Sequence, residues 1–415
     1  MRRTGLVIGG AVSLVVSAAL VGPTGASSGS PVPRKTMAVV DGTLASHGRP
    51  VAMPNSFAPK FAVTTDRKQT AVRGHIVAQG PSGTSVPMFS ETVKAGQNGD
   101  NYTFYMVGSS PETTDTTNTI TALIIPINVT FTNSGDVYSG VTTTCGQTQS
   151  ALNGVLNSPE LKPQRWYAGH TYIGHDQYTD AQMREEFWNW TKPGGTGAGW
   201  NLTLAPTANV EWNVSLSDPE FNAGNCLQTG LIDFSTWQSY LQNTVIPGLK
   251  SYGVGPTVFP IFISHDIGLT QPKTGGGTSC CVLGWHGTYD NPAFSTNTQT
   301  YAWADYQDNS GLTGNIDDTS DLSHEIAEWS NDPLGNNPVP PWGHVGQDPD
   351  SCQNNLEVGD PLTPNVFVDA PPKRGSFEYH LQELAFWEWF FDVSGGVNGW
   401  DSTRGTFTTG ATLCS

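Results

Sequence analysis

The sequence predicts an α/β (α+β) fold, a mixed sheet that carries one short functional helix and is stabilised by disulfides. Three observations carry this expectation. Runs of β-branched and aromatic residues alternate with amphipathic stretches, the pattern of strands and helices combined in one domain. With 37% hydrophobic residues and 13 Trp the chain can build a core, while 47 Gly and 29 Pro require many turns. Six cysteines, an even number, allow up to three disulfides in an oxidising compartment.

Along the chain, Met1-Arg2-Arg3 is basic, residues 5–21 are apolar, and Thr24-Gly25-Ala26 offers small residues for cleavage. Residues 1–26 therefore read as a secretory signal peptide, which implies a secreted, extracellular protein. Residues 27–117 are rich in Ser, Thr, Gly and Pro. They read as a low-complexity N-terminal segment with room for one hairpin, compatible with a removable pro-segment. Residues 118–415 hold the main domain. Its first core strand is expected over 120–131, where Pro126 signals a bulge or an unpaired edge. Helices follow over 148–156 and 179–188, a half-buried strand over 208–216, a helix over 234–246 stopped by Pro247-Gly248, and a strand over 257–264. An aromatic strand of edge character is expected over 300–306, and an apolar segment dense in Trp and Phe over 379–391.

Cys145, Cys226, Cys280, Cys281, Cys352 and Cys414 allow fifteen pairings. Adjacent cysteines rarely bridge, so Cys280 and Cys281 are expected to reach different partners, with Cys352 and Cys414 as a C-terminal pair. No Cys-x-x-Cys spacing points to a cysteine-ligated zinc. The formal charge of −17 makes a surface that repels nucleic acid and anionic membranes. Once the signal peptide is removed, no later segment is apolar and long enough to span a membrane.

The chemistry concentrates in Asp321-Leu322-Ser323-His324-Glu325-Ile326-Ala327-Glu328-Trp329. Thr319 or Ser320 can cap a helix here, Asp321 suits its positive end, and Pro333 stops it soon after Trp329. Leu322, Ile326 and Trp329 form its buried stripe, while His324 and Glu328, four apart, share a face on which one ion can touch both. This is the metalloprotease helix His-Glu-x-x-His with a carboxylate as the second ligand. Catalytic zinc takes three protein ligands and a water. The third is sought in Asn355-Leu356-Glu357-Val358-Gly359-Asp360, with Glu357 as ligand and Asp360 as the partner that orients His324. Glu325 is the candidate general base. Zn2+ is the first candidate; two carboxylates beside one histidine cancel a dication's charge, so its water is acidified less than by a neutral histidine set, and the oxygen ligands tilt selectivity toward Mn2+ or Ca2+.

His286, in Gly284-Trp285-His286-Gly287, is a candidate fourth ligand or oxyanion donor, against the competing reading of a satisfied buried histidine. His170 and His175 read as structural. Asp305, Asp308, Asp317, Asp318 and Asp321 lack the regular spacing of a calcium loop and read as a solvated acidic loop. The main domain, residues 118–415, carries no Gly-x-Ser-x-Gly for a serine hydrolase; the match Gly25-Ala26-Ser27-Ser28-Gly29 falls at the end of the expected signal peptide.

Cys280-Cys281-Val282-Leu283-Gly284-Trp285-His286-Gly287, Tyr301-Ala302-Trp303-Ala304 and Leu322-Ser323-His324-Glu325-Ile326-Ala327-Glu328 with Asp332-Pro333 resemble, in the same relative order, segments of the exordium (phosphate-induced) proteins. The resemblance is to bacterial secreted relatives of that family and runs from about residue 120 onward. That resemblance implies an extracellular protein linked to growth or cell-wall responses. The order of strands and the His-Glu helix is also similar to the zincin metallopeptidases. This implies a zincin-like fold, with His324 and Glu328 at ligand positions and Glu325 at the base position; Glu328 departs from the zincin histidine. The expected partner is a polypeptide substrate or, for a non-enzymatic protein with a structural or vestigial metal site, a cell-wall component.

Overall fold

The computed structural model describes residues 37–44, 57–64, 85–143, 149–216, 229–272, 278–289, 298–307, 317–345, 348–363, 365–369, 377–405, 407 and 412–414. Residues 37–415 form one compact unit. The expected signal peptide, Cys145, Cys226 and Asp308 lie outside the described residues.

The architecture is mixed α/β, dominated by strands, with few helices. Eleven strands form one large mixed sheet. In chain order they are β1 Ala38–Leu44, β2 Phe57–Thr64, β3 Thr117–Phe131, β4 Asp136–Ser139, β5 Asn201–Thr207, β6 Val210–Leu216, β7 Gly230–Asp233, β8 Val258–His265, β9 Ile267–Pro272, β10 Thr278–Tyr289 and β11 Gln299–Tyr306. The main path runs β1-β6-β3-β8-β11-β10-β9-β7, while β4 and β5 add to β3 and β2 adds to β10. Pairing is parallel from β1 through β11; β10 then runs antiparallel to both β11 and β9.

Pro126 sits where β3 changes neighbours. On one side the β8 ladder ends at Pro126 and β4 takes over from Asn128; on the other, β5 pairs up to Leu123 and β6 begins at Ile127. A residue without an N–H is tolerated at such a changeover. The irregularity expected from the sequence is thus an exchange of partners within one strand.

Each face of the sheet covers a separate apolar core, because alternate side chains along a strand point to opposite sides. Ile120, Ala122 and Ile124 of β3, Phe259, Ile261 and Ile263 of β8, and Ala302, Ala304 and Tyr306 of β11 join one core. Ile125, Ile127, Phe262, Tyr301 and Trp303 join the other. Strand β11 is therefore central and buried along its whole length, which corrects the expected edge strand. Its aromatic residues reflect burial on both faces, a composition that also occurs at edges.

The helix Ser320–Asn331 lies on the first face with all twelve residues buried. Leu322, Ile326 and Trp329 enter the core as their spacing requires. The Trp329 ring stacks on Phe259 with centroids 3.6 Å apart, and its indole N–H donates to Thr300 Oγ1 at 3.1 Å. Burial of each such side chain contributes about 1.5–3 kcal/mol. Thr319 occupies the N-cap position but makes no side-chain cap bond to the helix; its hydroxyl donates to Asp318 Oδ1. The helix runs to Asn331, and Asp332 Oδ1 and Oδ2 accept the Asn336 and Asn337 N–H groups at 3.0 Å to close the turn that follows.

The N-terminal stretch contains a hairpin, Met88–Lys94 with Asn101–Val107, whose Phe104 and Met106 enter the first core. Cys352 and Cys414 are bonded and tie a three-stranded sheet formed by Pro338–Val345, Asp348–Asn355 and Thr412–Leu413. Cys280 and Cys281 bond to each other across a cis peptide, contrary to the expectation of separate partners. No helix among the described residues is long and apolar enough to cross a membrane.

Candidate metal centre

The helix and β10 together build a buried polar cluster. One helical turn separates His324 from Glu328, and Nε2 of the first lies 2.9 Å from Oε1 of the second. On β10, Gly284 and His286 pair with Ala304 and Ala302, whose side chains face the helix. His286 therefore points at the helix, with Nδ1 3.4 Å from Glu325 Oε2 and 3.3 Å from Glu328 Oε2. Asp360 opens a short turn, Asp360–Leu362, and brings Oδ1 to 3.7 Å from His324 Nε2. Two three-residue donor sets result, His324–Glu328–Asp360 and His286–Glu325–Glu328, each with its donor atoms within 4.8 Å of one another. Donors about 2.0–2.2 Å from one tetrahedral ion stand roughly 3.3–3.6 Å apart, so either set could close on a cation with small shifts of its side chains.

Both imidazoles are anchored by the nitrogen that faces away from the cluster. Gln382 Nε2 donates to the Gly359 carbonyl and to Thr363 Oγ1, which turns its Oε1 toward His324 Nδ1 at 2.9 Å. Nδ1 must then carry the hydrogen, and Nε2 keeps its lone pair for the cluster. His286 does the reverse: Nε2 donates to the Asp332 carbonyl at 3.1 Å, so Nδ1 carries the lone pair. Such outer bonds fix the tautomer and orientation of metal-ligating histidines. Two glycines leave room for this. A Cβ at Gly284 would meet Glu325 Oε1 at 2.5 Å, and one at Gly359 would strike the His324 ring.

The groups of the cluster shift one another strongly. Burial pushes Glu325 up to about 8, only partly offset by His286. Burial acts likewise on Glu328, but the two histidines overcome it and hold its carboxyl below the ordinary range. Burial would lower both rings, yet Glu325 and Glu328 raise His286 to about 10, and Glu328 leads the carboxylates that raise His324 to about 9. His286 Nδ1 and both oxygens of Glu325 lack a hydrogen-bond partner despite being fully buried, since the 3.3–3.4 Å approaches do not have hydrogen-bond geometry. A buried polar atom without a partner costs about 1–3 kcal/mol, more for a charged group, and a hard or borderline divalent cation satisfies this donor set.

Of the two carboxylates sought after the helix, Asp360 is the one that falls in a donor set with His324. Asp360 stands on the inner side of His324, at ligand distance, while Gln382 does the orienting from the outer side. Glu357 belongs to neither donor set; it is buried, both of its oxygens lack hydrogen-bond partners, and burial, followed by the charge of Glu328, raises its carboxyl well above the ordinary range. The reason is the turn at Gly359. Its backbone N–H donates to Glu328 Oε1 at 3.2 Å, which presents the next residue, Asp360, to the histidine. His286 is fully buried and joins the cluster, with its other nitrogen bonded to the Asp332 carbonyl. Gln382 carried no motif signal, standing 58 residues after His324 on the strand Tyr379–Gln382.

The acidic loop is a correction as well, because Asp305, Asp318 and Asp321 are buried. Asp305 accepts from Ser264 Oγ at 2.6 Å and the Ile267 N–H at 2.8 Å, and Asp318 pairs with His380 at 2.6 Å. His170 and His175 are exposed and outside both donor sets. Comparison of the chain with family models, with curated proteins and with solved structures returns no match.

Proposed function

We propose that the chain is a secreted, divalent-metal-dependent peptidase of zincin-like type, related to the exordium proteins, with a cation held by His324, Glu328 and Asp360. The observation that carries this reading is the opposed anchoring of two imidazoles, each held from outside and each turning its other nitrogen toward Glu328, with Glu325 buried beside them. Zinc is the first candidate, with manganese and calcium as alternatives. A cation held by these residues would lower the pKa of a bound water and polarise a scissile carbonyl. Glu325, whose carboxylate form such a cation would favour, would take the water proton and return it to the leaving amine. Gly284, packed against Glu325, keeps that carboxylate in place.

The cluster is closed on nearly all sides; Asp360 is its most accessible member. Strand β2 runs parallel along β10 with Val63 opposite His286, and beyond Val282 it replaces β9 as that neighbour. We assign β2 to a pro-segment that occupies the position in which a polypeptide substrate adds as a strand.

The same burial favours a second reading, a non-enzymatic extracellular protein that acts on a cell-wall component and whose metal is structural. Glu325→Gln separates the two. The peptidase reading expects hydrolysis of a denatured polypeptide to fall by about 10²–10⁴-fold with metal content unchanged. Wild-type protein that holds its metal and hydrolyses nothing overturns it in favour of the structural reading, and a variant as active as wild type overturns Glu325 as the base.

A further inference from the structure

We propose that the centre binds two divalent cations, with Glu328 bridging them and the second cation held by His286, Glu325 and Glu328. The inference rests on the reading of a first cation at His324, Glu328 and Asp360. Glu328 divides its carboxylate between the two sets: Oε1 faces His324 Nε2 at 2.9 Å and Oε2 faces His286 Nδ1 at 3.3 Å. A carboxylate shared in this way spans ions about 3.5–4 Å apart. Oε1 also accepts the Gly359 N–H, which fixes the plane of the bridge.

The second set has its own unsatisfied atoms. His286 Nδ1 and both Glu325 oxygens are fully buried with no hydrogen-bond partner, and all three belong to residues that face the helix–β10 interface. Their chemistry, one imidazole with two carboxylates, suits zinc or manganese.

Loading has a consequence for the reaction. With one cation bound, Glu325 is free to take the water proton; with two, its oxygen is a ligand and no longer a base. The second cation therefore inhibits the hydrolysis that the first makes possible.

Metal-stripped full-length protein is titrated with Mn2+ while bound metal, the electron paramagnetic resonance spectrum and hydrolysis of a denatured polypeptide are followed together. The expected result is two equivalents, a spin-coupled pair spectrum at full loading, and a rate that rises over the first equivalent and falls over the second. His286→Gln is expected to lose one equivalent, the coupling and the fall in rate; the coupled spectrum of wild type tests the site even if that variant does not fold. One equivalent with an isolated six-line spectrum overturns the second site while leaving the peptidase reading intact. Two coupled equivalents without hydrolysis at any loading uphold the two-cation site and overturn the peptidase reading. No bound metal overturns both.

Discussion

His324 and His286 reach the same carboxylate from two elements, and each ring is held in that direction by the partner behind it. For His324 that partner is Gln382, whose amide is itself held by Gly359 and Thr363. Gln382→Leu keeps the approximate volume and removes the acceptor, so the ring loses its fixed tautomer. Metal affinity is expected to fall by about 10–100-fold, as for other losses of a ligand's outer partner. Competition with a chromogenic chelator measures this, and an unchanged affinity contradicts the assigned role. The helix residues of the site were legible because four-residue spacing dictates a shared face. Asp360 could be found but not its role, since the turn at Gly359 decides which of two nearby carboxylates reaches the histidine. Gln382 was beyond reach: a glutamine far along the chain has no periodicity or motif to announce it.

At the scale of elements, the fold was legible wherever periodicity reports burial. The helix Ser320–Asn331 and strands β3, β6 and β8 stand close to where alternation and apolar spacing put them. Strand β11 was misplaced because aromatic residues suit a half-covered edge and a strand buried on both faces alike, and only the neighbours decide. The vicinal Cys280–Cys281 pair was missed because adjacent cysteines seldom bond, a statistical expectation that a local backbone conformation can override. Strand β2 yields a prediction at this scale. Val63→Pro removes an N–H and places a ring in the ladder opposite His286, which weakens the addition of β2 to β10. If β2 covers a substrate-docking edge, hydrolysis rises while the thermal midpoint changes little. Lower activity, or loss of the whole fold, shows instead that β2 is an integral strand.

The molecule as a whole buries many acids, and its stability must follow pH accordingly. Glu160 and Glu388 are each fully buried and raised by that burial from 4.5 to about 8. Their hydrogen bonds, from Thr179 Oγ1 at 2.8 Å and from the Gly396 N–H at 2.9 Å, offset only part of the effect. Between about 4.5 and about 8 these groups keep a proton in the folded chain and lose it on unfolding, so the unfolded state binds fewer protons. Stability therefore falls as pH rises through that window, and the contribution is fully present only below it. Thermal unfolding is expected to give a higher midpoint at pH 5.5 than at pH 8, with a flatter dependence in Glu388→Gln; a midpoint that rises across the window contradicts the assignment. A formal charge of −17 adds self-repulsion in the same direction.

The central claim is that the buried cluster of His324, Glu328, Asp360, His286 and Glu325 is a metal centre. The most direct measurement is the metal content of the purified full-length protein by mass spectrometry, repeated after dialysis against a chelator and again after addition of zinc or manganese. The account predicts stoichiometric divalent metal, its loss to the chelator with a lowered thermal midpoint, and recovery of both on reloading. A folded protein that carries no divalent cation, takes none up at millimolar concentration and melts at the same temperature throughout would contradict it.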